Sequence, residues 1–197
     1  MPRTKDDKLE AKRRREILEA AATCFVRDGF HAASMRAICA EAGLSAGAVY
    51  NYFPSKDAII EGMAEWERED VAELAAYLRS EKNALTALVE GTRAMVAETS
   101  AEEAQLYAEL IAEAGRNPAM QARFMETDDE LRGVLLETVA RGQADGTITK
   151  RDSTETLTLL VMSIVDGVTG RIGYGNNMKP ARLADIAADA VTRLLQP

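Results

Sequence analysis

The segment from Ser34 to Phe53 constrains this chain more than any other. It reads as two short helices around a tight turn, the arrangement of a DNA-reading helix-turn-helix. Ser34 suits an N-cap, where its hydroxyl can satisfy an early orphan N–H. Ile38 and Ala42 lie four apart and share one inner face. Gly43 follows the periodic run, where a left-handed residue ends a helix at little cost. Leu44 is apolar within the turn, and Ser45 is positioned to cap the next helix. That helix opens on Ala46, Gly47 and Ala48, small enough for its backbone to sit deep in a major groove. Tyr50, Asn51 and Tyr52 follow as hydrogen-bonding groups.

Continuing past Phe53 to Lys56 and Ile59 extends the pattern. The spaced set Ile38, Ala42-Gly43, Ser45, Gly47, Tyr50, Phe53, Lys56 and Ile59 resembles the N-terminal domain of TetR-type transcriptional repressors. Cys39, Leu44 and Tyr52 depart from it, where Ala, Val and His are usual. The resemblance implies that the second motif helix enters the major groove and that Tyr50 and Lys56 contact phosphates. The DNA-contacting set is then Ser34, Arg36, Ser45, Ala46, Gly47, Tyr50, Asn51, Tyr52 and Lys56. Lys56 also has a physical argument. A cation in a helix's first turn opposes the dipole, which makes sense if a phosphate binds that N-terminus.

The remaining composition is that of an all-α protein. The chain is 47% hydrophobic and only 5% aromatic, and alternating β-branched runs are nearly absent. No eighteen consecutive residues are apolar, and the first eight residues have no apolar core, so neither a membrane span nor a signal peptide is expected. A cytoplasmic protein follows. Cys24 and Cys39 sit among helical core positions and read as small buried hydrophobes. His31 stands without other metal-ligating groups, so it reads as structural or phosphate-adjacent, and no cofactor or metal is expected.

Net charge is −8, yet residues 1–56 carry ten Lys/Arg against seven Asp/Glu. A mildly basic head on an acidic body suits a chain that meets nucleic acid at one end. Residues 1–8 read as an arm, and Leu9–Asp28 as the first helix. Its Lys12-Arg13-Arg14-Arg15 run is placed for phosphate contact. A long helix follows from Lys56 through Leu78. Amphipathic helices are then expected over 84–99, from the capping box Ser100-Ala101-Glu102-Glu103, over 118–143, over 153–175 and over 180–195. About nine helices result. Residues 1–54 are expected to form a three-helix DNA-binding domain, and 55–197 a ligand-binding and dimerisation domain.

The helix at 153–175 is apolar on more than one face, with Gly167 and Gly170 able to admit a partner helix. The resemblance implies a dimer bundle of the last two helices, with Leu160, Ile164, Val168, Ile172, Ile186, Ala190 and Leu194 at the interface. It also implies a small-molecule pocket in the body. Met63, Trp66, Met95, Tyr107, Leu110, Met120, Phe124, Met125 and Met162 are candidate linings, since methionine tolerates varied apolar shapes. Glu109 and Glu113, four apart, read as a solvated pair. No nucleophile–base set accompanies them, so an enzyme is not expected. The resulting expectation is a homodimeric repressor released from a palindromic double-stranded operator by a bulky hydrophobic effector, in efflux or detoxification. A regulator of lipid metabolism sensing an acyl compound, and a DNA-binding protein without effector, remain alternatives.

Overall fold

The computed structural model describes residues 5–175 and 178–197, with side chains described from Leu9 onward. Among the described residues it contains nine α-helices and no strand: α1 (Lys5–Asp28), α2 (Met35–Glu41), α3 (Ala46–Tyr52), α4 (Lys56–Ser80), α5 (Ala84–Glu98), α6 (Ala101–Ala114), α7 (Pro118–Asp145), α8 (Thr154–Gly173) and α9 (Pro180–Leu195). Helix α1 begins at Lys5, so the expected arm is helical over its last four residues. Its first four residues lie outside those described, as do Asn176 and Asn177 beyond α8.

The chain divides into two compact units. The first comprises residues up to Trp66 together with Leu106–Arg123. The second comprises Glu67–Gln105 and Phe124–Pro197. The first unit extends past the sequence division at residues 54 and 55, taking in α4 as far as Trp66 and parts of α6 and α7.

In the first unit, α1 buries Ile17, Leu18, Ala21, Cys24 and Phe25, the three-four stripe that its sequence carries. Gly29 ends α1 at φ 78°, and Phe30 folds back so that its ring centroid lies 5.2 Å from that of Phe25. The motif helices are closed locally. Ser34 Oγ accepts from Ala37 N–H at 3.2 Å, and Ser45 Oγ from Ala48 N–H at 3.2 Å. Between them Gly43 adopts φ 64°, the left-handed conformation that the turn requires. Ile38, Val49 and Phe53 are buried and Leu44 is half-buried.

The second unit is a helix bundle with two apolar cores. One gathers Leu78, Leu88, Val139, Ile148, Leu157, Val191 and Leu195. The other gathers Val96, Ala104, Ile172, Leu183 and Ala187. Helix ends are satisfied by side chains. Arg141 donates to the carbonyls of Leu78 and Glu81 past the last turn of α4, at 2.8 and 2.7 Å. The Ser100–Glu103 capping box is reciprocal, at 3.1 Å from Glu103 N–H to the hydroxyl and 2.8 Å from Ser100 N–H to the carboxylate. Arg93 pairs with Asp185 between α5 and α9. Helix α8 is long and apolar enough to cross a bilayer by length and composition, although it holds no uninterrupted run of eighteen apolar residues. Only 22% of its apolar window is buried within the chain.

Candidate nucleic-acid interface

Helix α3 offers a face of small and polar groups. Ser45, Ala46, Gly47 and Asn51 are exposed, Tyr50 is 48% exposed, and Tyr52 is half-buried. On the opposite side Val49 and the C-cap residue Phe53 are buried, so core packing fixes which face points outward. Gly47 has ordinary helical backbone, and a Cβ added there would meet nothing within 4 Å. Nothing among the described residues requires this glycine, whereas a major groove approached closely by backbone would. At the start of α2, Ser34 and Arg36 are exposed as well.

Lys56 has partners within the chain. Its Nζ donates to the carbonyls of Phe30, Ala33 and His31 at 2.6, 3.1 and 3.3 Å. It also lies 4.4 Å from the Phe30 ring centroid. An ammonium has three N–H donors, and in this conformation all three are directed at the loop between α1 and α2.

The basic run of α1 is also engaged within the chain. Lys12 and Arg13 pair with Glu16 at 3.8 and 2.7 Å, Arg15 with Glu19 at 3.7 Å, and Arg14 with Glu65 at 3.0 Å. Arg14 further stacks over Phe53 at 4.7 Å and Arg15 over Trp66 at 4.1 Å. One face of Trp66, a candidate pocket wall, therefore carries a guanidinium.

The other pocket candidates do not gather in one unit. Met63, Leu110 and Met120 are buried and Tyr107 is exposed in the first unit. Met95, Phe124 and Met162 are half-buried in the second, and Met125 is 52% exposed. Glu113 corrects the solvated-pair reading. It is buried, its Oε2 lies 2.9 Å from His31 Nε2, and it accepts from Arg116 at 3.5 Å. Glu109 is half-buried.

Sequence reasoning missed an acidic group in the second unit. Glu67 of α4 has its carboxyl raised above the usual range by burial, and further by the charges of Asp70 and Asp128. Asp166 of α8 is raised by desolvation and by Asp128 of α7, although the residue as a whole is exposed. Beside Asp128, the buried Thr127 hydroxyl has no hydrogen-bond partner among the described residues. One signal was available: Glu67 occupies the same stripe of α4 as Leu74 and Leu78, where an apolar residue would be usual.

At the C-terminal end, Leu160 and Ile186 are 40% and 39% exposed, and Ile164, Val168, Ala190 and Leu194 are half-buried. Ile172 is buried with Val96 and Leu183, so its apolar surface is spent inside the chain and not at an interface. Leu159 and Tyr174, absent from the expected set, are 64% and 83% exposed.

Comparison with known proteins covers both parts of the chain. Residues 17–63 match bacterial regulatory proteins of the tetR family, and residues 81–196 match the C-terminal part of BetI-type transcriptional repressors. The HTH-type transcriptional repressor Rv1474c of Mycobacterium tuberculosis is 28% identical over 197 residues, covering 98% of this chain and 100% of that one. Among solved structures, Salmonella enterica GusR superposes with a TM-score of 0.72 at 28% identity, over 93% of this chain and 95% of its own. A transcriptional regulator from Saccharomonospora viridis in complex with choline gives a TM-score of 0.80 at 20% identity, over 95% of this chain and 99% of its own. A capped reading head with an outward glycine is thus joined to a matching repressor body, and the chain belongs to the TetR family of transcriptional repressors, which are DNA-binding regulators and not enzymes.

Proposed function

We propose that this repressor acts in the cytoplasm as a homodimer on a palindromic operator and is released by a small hydrophobic molecule that carries positive charge. The exposed face of α3 around Gly47, which nothing in the chain fills, carries the DNA-reading part. Two heads are needed because one helix-turn-helix reads only a half-site; a dimer reads two half-sites about 34–36 Å apart. Uncovered apolar surface on α8 and α9 supports self-association, together with Gly167 and Gly170, where an added Cβ would meet nothing.

The sequence suggested a bulky hydrophobic effector, and the half-buried Phe124 and Met162 of the second unit retain that character. Charge is added by the acidic group. Glu67, Asp128 and Asp166 come from three helices, and the charge of Asp128 adds to burial in raising the carboxyls of the other two, an arrangement that a cation would relieve. The choline complex of a structural neighbour supports the same chemistry. Efflux or detoxification control fits an organic cation. An acyl effector, by contrast, would place its own negative charge beside these carboxylates.

A duplex selected by the protein from a random library supplies the operator. Benzyltrimethylammonium should weaken binding to it, whereas its uncharged carbon isostere neopentylbenzene should do so far less. Release by palmitate alone would favour the lipid reading. Operator affinity indifferent to all three would favour a repressor without effector. On the same duplex, Arg36→Ala should relax preference at one position by about 1–3 kcal/mol, and Tyr50→Phe should weaken every sequence alike.

A further inference from the structure

We propose that Arg27 is a positioning residue for operator recognition: it clamps Glu41, at the end of α2, to the end of α1, and so fixes the orientation in which α2 presents Arg36 and leads into α3. The proposal rests on the reading of α2 and α3 as the DNA-contacting helices.

Three observations carry it. First, one guanidinium joins two helix ends. Arg27 lies in the last turn of α1. Its Nε and Nη2 donate to Oδ1 and Oδ2 of Asp28 at 3.0 and 2.9 Å, and its Nη1 donates to Oε2 of Glu41 at 2.9 Å. Second, both carboxylates stand where their own helices disfavour them. Asp28 is the last residue of α1 and Glu41 the last of α2. A negative charge at a helix C-terminus opposes the dipole, and a single cation between the two compensates both. The hydrogen bonds from Arg27 hold the Asp28 carboxyl below its ordinary range. Third, the clamped residue adjoins the turn that sets α3. Ala42 caps α2, Gly43 takes φ 64°, and Leu44 N–H donates to the Cys39 carbonyl at 3.1 Å. Helix α2 has only seven residues. Arg36 precedes Glu41 by five positions, roughly 7–8 Å along the axis. A tilt at the Glu41 end is therefore passed in one direction to Arg36 and in the other to Ser45, the cap of α3.

Exposed ion pairs contribute little as a rule, with bidentate arginine and charge networks as the exceptions. Arg27 meets both conditions. Its Nη2 also lies 3.6 Å from Sγ of Cys24, which is fully buried, so the guanidinium rests on the core of the head and not in open solvent. The arrangement calls for an arginine. A lysine ammonium is a point charge on a flexible stem and cannot hold one carboxylate with two parallel N–H bonds while reaching a second.

The experiment measures affinity of the full chain for the selected duplex and for a scrambled duplex of equal length, with circular dichroism checking that each variant is folded. Glu41→Ala removes a negative charge from the head, which by charge alone would strengthen binding to any DNA. The clamp requires the reverse on the operator: a loss of roughly two- to fivefold, with no loss on the scrambled duplex. Arg27→Lys, which keeps the charge, should lose operator affinity in the same selective way. Arg27→Glu should lose more, and the exchange Arg27→Glu with Glu41→Arg should recover most of that loss, as coupled neighbours do. Should Arg27→Glu fail to fold, Glu41→Ala and Arg27→Lys decide alone. Operator affinity of Glu41→Ala at or above that of the wild type would overturn the proposal. So would an equal loss by Arg27→Lys on both duplexes, or an exchange variant no better than Arg27→Glu. Arg36→Ala with unchanged sequence preference would instead overturn the reading of α2 on which the proposal rests.

Discussion

His31 Nε2 lies 2.9 Å from Glu113 Oε2, fastening the loop between α1 and α2 to the end of α6 within one packing unit. The carboxylate is 6% exposed and the imidazole 73%, so the interaction is buried at one end and wet at the other. Removing the imidazole leaves Glu113 with Arg116 at 3.5 Å. His31→Ala should cost about 1 kcal/mol in denaturant unfolding, the upper scale of a partly exposed ion pair. Glu113→Ala should cost more than Glu113→Gln, because the amide keeps a polar oxygen beside the ring and Arg116. Equal losses for the two Glu113 variants would show that the polar contact contributes nothing.

Packing around Gly62 yields a prediction about the reading helix. A Cβ there would stand 2.7 Å from Cε1 of Phe53 and 3.2 Å from Cδ2 of Leu18. Phe53 caps α3 and is 1% exposed, so its ring has nowhere to retreat. Gly62→Ala should destabilise by about 1–3 kcal/mol through overpacking, despite the better helix propensity of alanine. Thermal unfolding measures the loss. A variant as stable as the parent would mean that the aromatic ring is freer than its burial indicates.

Glu67 should make stability depend on pH in a defined direction. Its carboxyl is raised in the folded chain by burial and by Asp70 and Asp128, so the folded state holds the proton more tightly than the unfolded chain. Stability from this residue is therefore fully present below the ordinary value of 4.5 and falls as pH rises through the folded value. Glu67→Gln should raise the melting temperature at pH 7.5, with a gain that shrinks as pH approaches 4.5. Benzyltrimethylammonium should stabilise the parent protein more than this variant. A variant that melts lower at neutral pH would contradict the electrostatic account.

Dimerisation is best tested where the chain has no use for the side chain itself. Val168 and Leu194 pack against the internal cores, so charges there would unfold the protein and report little about assembly. Leu160→Glu and Ile186→Glu strike exposed positions. Each should leave monomer stability within about 0.5 kcal/mol while shifting sedimentation from dimer to monomer and weakening operator binding, because each head then binds alone. Dimer retained in the double variant would place the interface elsewhere.

Much of the reading head was legible because its determinants are local. Ser34, Gly43 and Ser45 act on residues at most three positions away, and a cap or a left-handed turn needs no distant partner. The carbonyl contacts of Lys56 went unseen and Glu113 was misread for the opposite reason. Their partners lie 23–26 and 82 residues away, and a charged residue in isolation looks solvated. The joining of Leu106–Arg123 to the first unit was likewise invisible, since helical periodicity shows which face is buried and not what covers it. Apolar surplus on α8 was readable from composition, but Ile172 could not be separated from Leu160 until α9 and α5 were in place.

Cys24 is fully buried and Cys39 only 7% exposed. Burial pushes the Cys24 thiol above its ordinary value, against the opposing pull of Arg27. At neutral pH it stays protonated, and the protonated form is a poor nucleophile. Alkylating reagents should therefore pass over the native protein. A single cysteine introduced on the outward face of α3 would then be the preferred attachment point for a spin label or fluorophore. In a symmetric pair of chains, the separation of two such probes would report the spacing of the heads, with and without effector, on an otherwise wild-type background.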